Sequence, residues 1–183
     1  MEHMFEESMM TTHAPPKVMK PTCPKIVVLG GTGFIGSNLC RKLIGEGHHV
    51  ICIDNNFSGS VENIADLFKN PRFEYIHHNI LDPIDLNDKI SHIYNLASPS
   101  SPNYPIFTIK TCVIGSMNAV ELAHKKSACL LLLASTSETN NRMAETIMVE
   151  SGKAYGLEVR IARNLNTYGG DTVSQLIALM NNV

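Results

Sequence analysis

The stretch KIVVLGGTGFIGSNLCRKL, beginning at Lys25, limits what this chain can fold into more than any other feature. An apolar run ends in two glycines, and apolar residues at helical spacing begin at Phe34. A strand that enters a helix through so tight a turn is the opening of a βαβ unit. The alternation then continues. HVICID, FEYIH, HIYNLAS, ACLLLLAS and LEVRIARN read as further strands. SVENIADLFKN, IFTIKTCVIGSMNAVELAHKK, TNNRMAETIMVESGKAYG and TVSQLIALMNN read as helices, the first with Ser60 as N-cap and Pro71 just past its end. A short acidic turn or helix separates FEYIH from HIYNLAS. Strands this apolar, alternating with helices, predict an α/β fold with a doubly wound parallel sheet buried on both faces.

The 183 residues suffice for one domain, expected at residues 25–183. Residues 1–24 hold five methionines and four prolines without periodicity and are expected to form a disordered tail. They lack arginine and an apolar core segment, so they read as neither transit nor signal peptide. A net charge of −2 leaves no electrostatic footprint for nucleic acid. No apolar stretch approaches the roughly 18 residues that a membrane span needs. Five cysteines without a C-x-x-C pair, with Cys40, Cys52 and Cys129 inside apolar runs, argue against a disulfide framework and for a reducing, cytoplasmic setting. The adjacent histidines at 48–49 and 77–78 would point to opposite faces of a strand, so no metal site is expected.

The first strand–helix junction carries the clearest chemistry. Gly31, Gly33 and Gly36 satisfy G-x-G-x-x-G, while Gly30, Gly33 and Gly36 satisfy the related G-x-x-G-x-x-G, with Phe34 and Ile35 between them. Such glycines permit the tight turn, the approach of a pyrophosphate and close helix packing, while free amides at the helix start face the phosphates. Asp54 ends the second strand 18 residues beyond Gly36, followed by Asn55, where a carboxylate would bind the adenosine ribose. DNNFSGS offers no cation for a 2′-phosphate, so NAD is favoured over NADP.

Several further stretches, ILDPID, IYNLASPSSPNY, FTIKTCVIGSMNAVELA, LLLASTSE, RMAET and LEVRIARNLNTYGG, resemble the UDP-glucuronate decarboxylases. These are extended short-chain dehydrogenases that make UDP-xylose with bound NAD. The resemblance implies a Rossmann-like NAD-binding domain and a reaction in which NAD takes a hydride from C4 of the glucuronosyl ring. The 4-keto acid loses carbon dioxide, and the hydride returns. A tyrosine in a Tyr-x-x-x-Lys motif is the base, its pKa lowered by the lysine. By position, Thr136 falls at the hydroxyl of the catalytic triad, and Ser137 and Glu138 at neighbouring decarboxylation positions. Leu96, Ala97 and Ser98 fall where the fourth strand's loop lines the NAD pocket, and Arg163 in the strand beneath the nicotinamide. Tyr104 and Asn166 fall in segments that contact the UDP-sugar.

The departures are as specific as the matches. Only Thr139, Asn140 and Asn141 separate STSE from RMAET, where the resemblance implies a long loop ending in Tyr-x-x-x-Lys. In that register Asn141 fills the lysine slot and Ser137 the tyrosine slot. No other tyrosine substitutes: four residues beyond Tyr75, Tyr94, Tyr104, Tyr155 and Tyr168 stand Asn79, Ser98, Thr108, Val159 and Thr172. Asn79 replaces an expected acid near the adenine, and Cys112 an expected asparagine. The C-terminal substrate domain that the resemblance implies would begin where the sequence stops. Three readings remain: an impaired decarboxylase, a silent NAD-binding module, or a truncated product of marginal fold. The silent module would pair with itself or a full-length relative through helices at 106–125 and 139–155. A plainer reading of STSE also stands, since Thr136, Ser137 or Thr139 could cap the following helix and Glu138 favour its positive end.

Overall fold

The computed structural model describes residues 24–99, 104–135 and 139–163. Thr136, Ser137, Glu138, Asn166, residues 1–23 and the helix expected in TVSQLIALMNN lie outside them. Six strands, β1 (Lys25–Leu29), β2 (Val50–Asp54), β3 (Phe73–His77), β4 (Ile90–Asn95), β5 (Leu130–Ser135) and β6 (Val159–Arg163), form one sheet. All neighbours run parallel in the order β3-β2-β1-β4-β5-β6. The expected doubly wound sheet is therefore the observed one. Its strand order reverses between β1 and β4, and the crevice of such a sheet opens there, at the carboxyl ends of the strands.

Alternation along each strand divides the core in two. Val27, Leu29, Ile51, Ile53, Ile93, Leu131 and Leu133 face the long helix Pro105–Lys126 and helix α4 (Thr139–Tyr155). Ile26, Val28, Val50 and Cys52 face the opposite side, against Leu39, Cys40 and Leu43 of α1 (Phe34–Gly45). The long helix comprises α2 (Pro105–Lys110), a π-helical turn (Thr111–Gly115) and α3 (Ser116–Lys126). The turn falls where the Thr111 hydroxyl donates to the Phe107 carbonyl and where Gly115 lets the backbone meet Ile80. A side chain or a close contact inserted into the helix ladder is a common cause of such a turn.

Three expectations are corrected. SVENIADLFKN is a 3₁₀ helix over Val61–Lys69, because its inward residues Val61, Ile64 and Leu67 recur every third position and suit three residues per turn. Ser60 does cap it, its hydroxyl accepting from the Glu62 amide. Cys129 is exposed, since it lies just before β5, at the amino end of the strand. Pro105–Lys126, 22 residues with a mean hydropathy of 1.3 over its most apolar window, is long and apolar enough to cross a membrane by length and composition. Unbroken apolar runs do not reveal it, because Thr, Lys, Gly, Ser and Asn interrupt its isoleucines, valines and other apolar residues. Half of that window is buried in the protein, as in a core helix.

Glycine packing gives a test. A Cβ at Gly36 would lie 2.2 Å from the Gly30 carbonyl oxygen, whereas one at Gly45 in the same helix meets nothing within 4 Å. Gly36→Ala is expected to destabilise by about 1–3 kcal/mol and lower Tm by several degrees. Gly45→Ala should raise stability by up to about 1 kcal/mol. Paired thermal melts check both signs.

Candidate functional site

A cleft of about 440 Å³ opens at the carboxyl ends of β1, β2, β4 and β5, within the usual size range of ligand pockets. Its floor is the glycine turn. Gly30 has φ +80°, a conformation suited to glycine, and a Cβ there would lie 2.8 Å from the Ala97 nitrogen. The turn therefore rests directly on the loop after β4. Gly33 begins α1 without a side-chain cap, and the first turn carries no acidic residue. The helix start thus presents its amides and positive dipole end to the cleft, a ready anion site.

Gly30, Gly33, Phe34, Ile35, Gly36, Asp54, Asn55, Leu96, Ala97 and Ser98, all expected at a cofactor site, line this one cleft. Two others do not. Gly31 faces the Cys52 thiol, where a Cβ would come within 2.3 Å of the sulfur, so it serves the packing of β1 on β2. Arg163 sits at the end of edge strand β6, paired in register with Ser135. Its guanidinium forks onto Glu145 of α4, Nε donating to Oε1 at 2.8 Å and Nη2 to Oε2 at 2.5 Å. Ser135 donates its hydroxyl to the same carboxylate at 2.7 Å. Helix α4 captures the arginine before it can reach under the cleft. Tyr104 stands at the rim, half exposed, its ring against Phe57.

Asp54 holds the site together as well as lining it. Oδ2 accepts from the Thr32 amide at 2.9 Å, tying β2 to the glycine turn, and Oδ1 from the Asn56 amide at 2.8 Å. Each carboxylate oxygen retains a second acceptor position, so ribose hydroxyls can still be bound.

Among the described residues lining the cleft there is no lysine or arginine. Asn141 and Cys112, separate departures in the sequence, are one contact in space. The Cys112 thiol donates to Asn141 Oδ1 at 3.2 Å, and the Ser98 hydroxyl donates to the same oxygen at 3.4 Å. An uncharged, buried cluster stands beside Ser98. Tyr94 is fully buried on the α1 side of the sheet, and burial raises its phenol above the ordinary value. Such a phenol is no base for the cleft.

Sequence reasoning missed Phe57, His78, Phe107, Thr111 and Ser135, which also line the cleft. Position could have flagged them, because His78 and Ser135 lie at strand ends and Phe107 and Thr111 share one helix face.

A parallel sheet in this order, a glycine turn at its switch point and an acid ending β2 define a dinucleotide-type α/β domain. The chain belongs to the GDP-mannose 4,6 dehydratase family, which it matches over residues 27–155. It is 41% identical over 193 aligned positions to UDP-glucuronic acid decarboxylase 1 of Arabidopsis thaliana, covering 84% of this chain and 44% of that protein. It is 37% identical to UDP-glucuronic acid decarboxylase 1 of Danio rerio, over 79% of this chain and 42% of that one. The resemblance read from the sequence is borne out, and the chain spans about half the length of these relatives. Among solved structures, the UDP-glucose 4-epimerase of Thermotoga maritima with UDP-glucose superposes with a TM-score of 0.71 at 26% identity, covering 79% of this chain and 56% of its own. The dTDP-glucose 4,6-dehydratase of Bacillus anthracis in complex with NAD gives 0.68 at 24%, covering 80% and 56%.

The Glu145 clamp predicts a pH effect. Hydrogen bonds from Arg163, and then Ser135, hold its carboxyl down at about 2, against an ordinary 4.5. A depressed acid stabilises the fold above its unfolded value and loses that contribution as pH falls. The stability difference between wild type and Glu145→Gln, about 2 kcal/mol near neutrality, should hold above pH 5. It should shrink as pH falls from about 4.5 towards 2. Urea titrations across that range check the sign.

Proposed function

We propose that this chain is an NAD-binding domain of the UDP-glucuronate decarboxylase type that has lost the base of the hydride step. One observation carries the reading: Asp54 and the uncapped start of α1 line the same cleft, at the two places where a ribose diol and a pyrophosphate need partners. The residues fit the group. Gly30 and Gly36 leave no room for side chains, so main chain can close on the phosphates. Bound there, NAD would supply a hydride acceptor and donor. Leu96, Ala97 and Ser98 would flank its nicotinamide half, since they line the cleft across the switch point from Asp54.

The chain's own residues limit the chemistry available beside that group. Abstracting the C4 hydroxyl proton of a sugar requires a base within about 3 Å of that oxygen. The sequence has no Tyr-x-x-x-Lys, and Asn141 beside Ser98 offers an amide in place of an ammonium. Thr136 and Ser137 are too weakly acidic to act unaided, and the sequence around Glu138 carries no lysine between Lys126 and Lys153. The alignment with the Arabidopsis enzyme supports an internal gap, because 193 positions against 84% of a 183-residue chain leave roughly forty without a counterpart here. A UDP-sugar remains the fitting second ligand, with Tyr104 and Asn166 as its contacts and residues 25–183 as the domain concerned. Pairing through helices 106–125 and 139–155 is a second reading, favoured by Ile106, Met117, Met143 and Val149, large apolar side chains exposed on them.

Calorimetry should show NAD bound roughly tenfold or more tightly than NADP, because Asp54 would face the 2′-phosphate with like charge. Asp54→Asn should narrow that gap while weakening NAD. Equal affinities in wild type would overturn the reading.

Purified protein with NAD and UDP-glucuronate should release no carbon dioxide above background. Losing a general base typically costs about 10²–10⁴-fold. Turnover within tenfold of a full-length relative, abolished by Glu138→Gln, would show that another group had replaced the base.

A further inference from the structure

Two sides of the cleft touch one another through aromatic rings. Phe57 follows β2 and Phe107 belongs to α2, and both line the cleft. Their ring centroids lie 4.3 Å apart, and Tyr104 meets the same Phe57 ring edge-on at 5.3 Å. These contacts join the carboxylate side of the cleft to the helix opposite. Phe57 remains 45% exposed and Tyr104 53% exposed, so the rings lie at the surface and are not part of the core.

The two ends of the bridge are held differently. On the β2 side, Asn56 adopts the left-handed conformation, φ 57°, and this turns Phe57 towards α2. That conformation is braced twice: the Asn56 amide donates to Asp54 Oδ1, and its side-chain amide donates to the Tyr75 hydroxyl at 2.8 Å. On the other side, Phe107 sits in a six-residue helical segment that passes directly into the π-helical turn. A π turn interrupts the regular helix ladder and recurs at functional sites. A fixed post therefore faces a pillar with a joint at its base.

We propose that the contact of Phe57 with Phe107 and Tyr104 is a gate across the dinucleotide cleft, which must part for the nucleotide to enter or leave. The proposal rests on the NAD reading above and concerns how the same cleft exchanges its ligand. Edge and tilted aromatic contacts are individually weak, so the gate opens thermally and the closed form predominates. A site competent only when open binds at a rate reduced by the open fraction. The gate also re-forms over a bound ligand, so it slows release.

Stopped-flow binding of NADH, followed by its own fluorescence, tests this on the full chain, which has no tryptophan to interfere. Phe57→Ala should raise both association and dissociation rates, each by about five- to thirty-fold, so that Kd changes less than either rate. Phe107→Ala should do the same from the opposite side, and thermal melts confirm that both variants are folded. Binding by Phe57→Ala where wild type shows none would also support the gate. Unchanged association with faster release would overturn it, making Phe57 a ligand contact only. Rates unchanged in both variants while wild type binds would remove the gate and leave the NAD reading intact. No binding by any of the three proteins would remove the NAD reading and the gate with it.

Discussion

The upper edge of this protein depends on how closely three lengths of backbone approach one another at Gly30 and Gly36. Helix α1 starts against the turn that precedes it, and the turn rests on the loop after β4, with no room for a Cβ at either glycine. Were the turn wider, α1 would move away from the switch point and its amides would no longer face the crevice. The cleft, the position of Asp54 and the reach of the β4 loop all depend on that approach. Asp54 reinforces it from β2 by accepting the Thr32 amide. A residue expected to serve a ligand thus also holds the turn that the ligand would need.

The far side of the cleft is organised by side-chain chemistry. Ser135, Glu145 and Arg163 tie the ends of β5 and β6 to α4 through a single carboxylate. Ser98, Cys112 and Asn141 tie the β4 loop to the π-helical turn and to the start of α4 through a single amide oxygen. Both clusters converge on the first turns of α4. The strands and their order survive here because apolar burial on two faces holds them. Side chains borne by loops have no such support from the core.

Much of the fold and part of the site were legible in the residues. Apolar runs that mostly alternate with helical periods dictate a covered parallel sheet, since central strands such as β1 and β5 cannot face water on either side. Gly33, Gly36 and Asp54 could be placed at the cleft because their spacing from β1 and β2 sets their height above the sheet. Phe57 and Phe107 could not, being fifty residues apart in the chain and joined only when β2 and α2 flank the same crevice. Arg163 could not either. Its strand was evident, but its direction depended on Glu145, a residue of another element.

The sequence by itself determined the class of fold, the place of the glycine turn and the lack of a Tyr-x-x-x-Lys pair, because period, spacing and identity are local properties. Tertiary structure alone decided that Gly31 serves β1–β2 packing, that Arg163 is held by α4, that Cys112 and Asn141 share a hydrogen bond, and that two aromatic residues meet across the cleft. Each of those facts is a contact between elements distant along the chain, and such contacts are settled by which faces the sheet brings together.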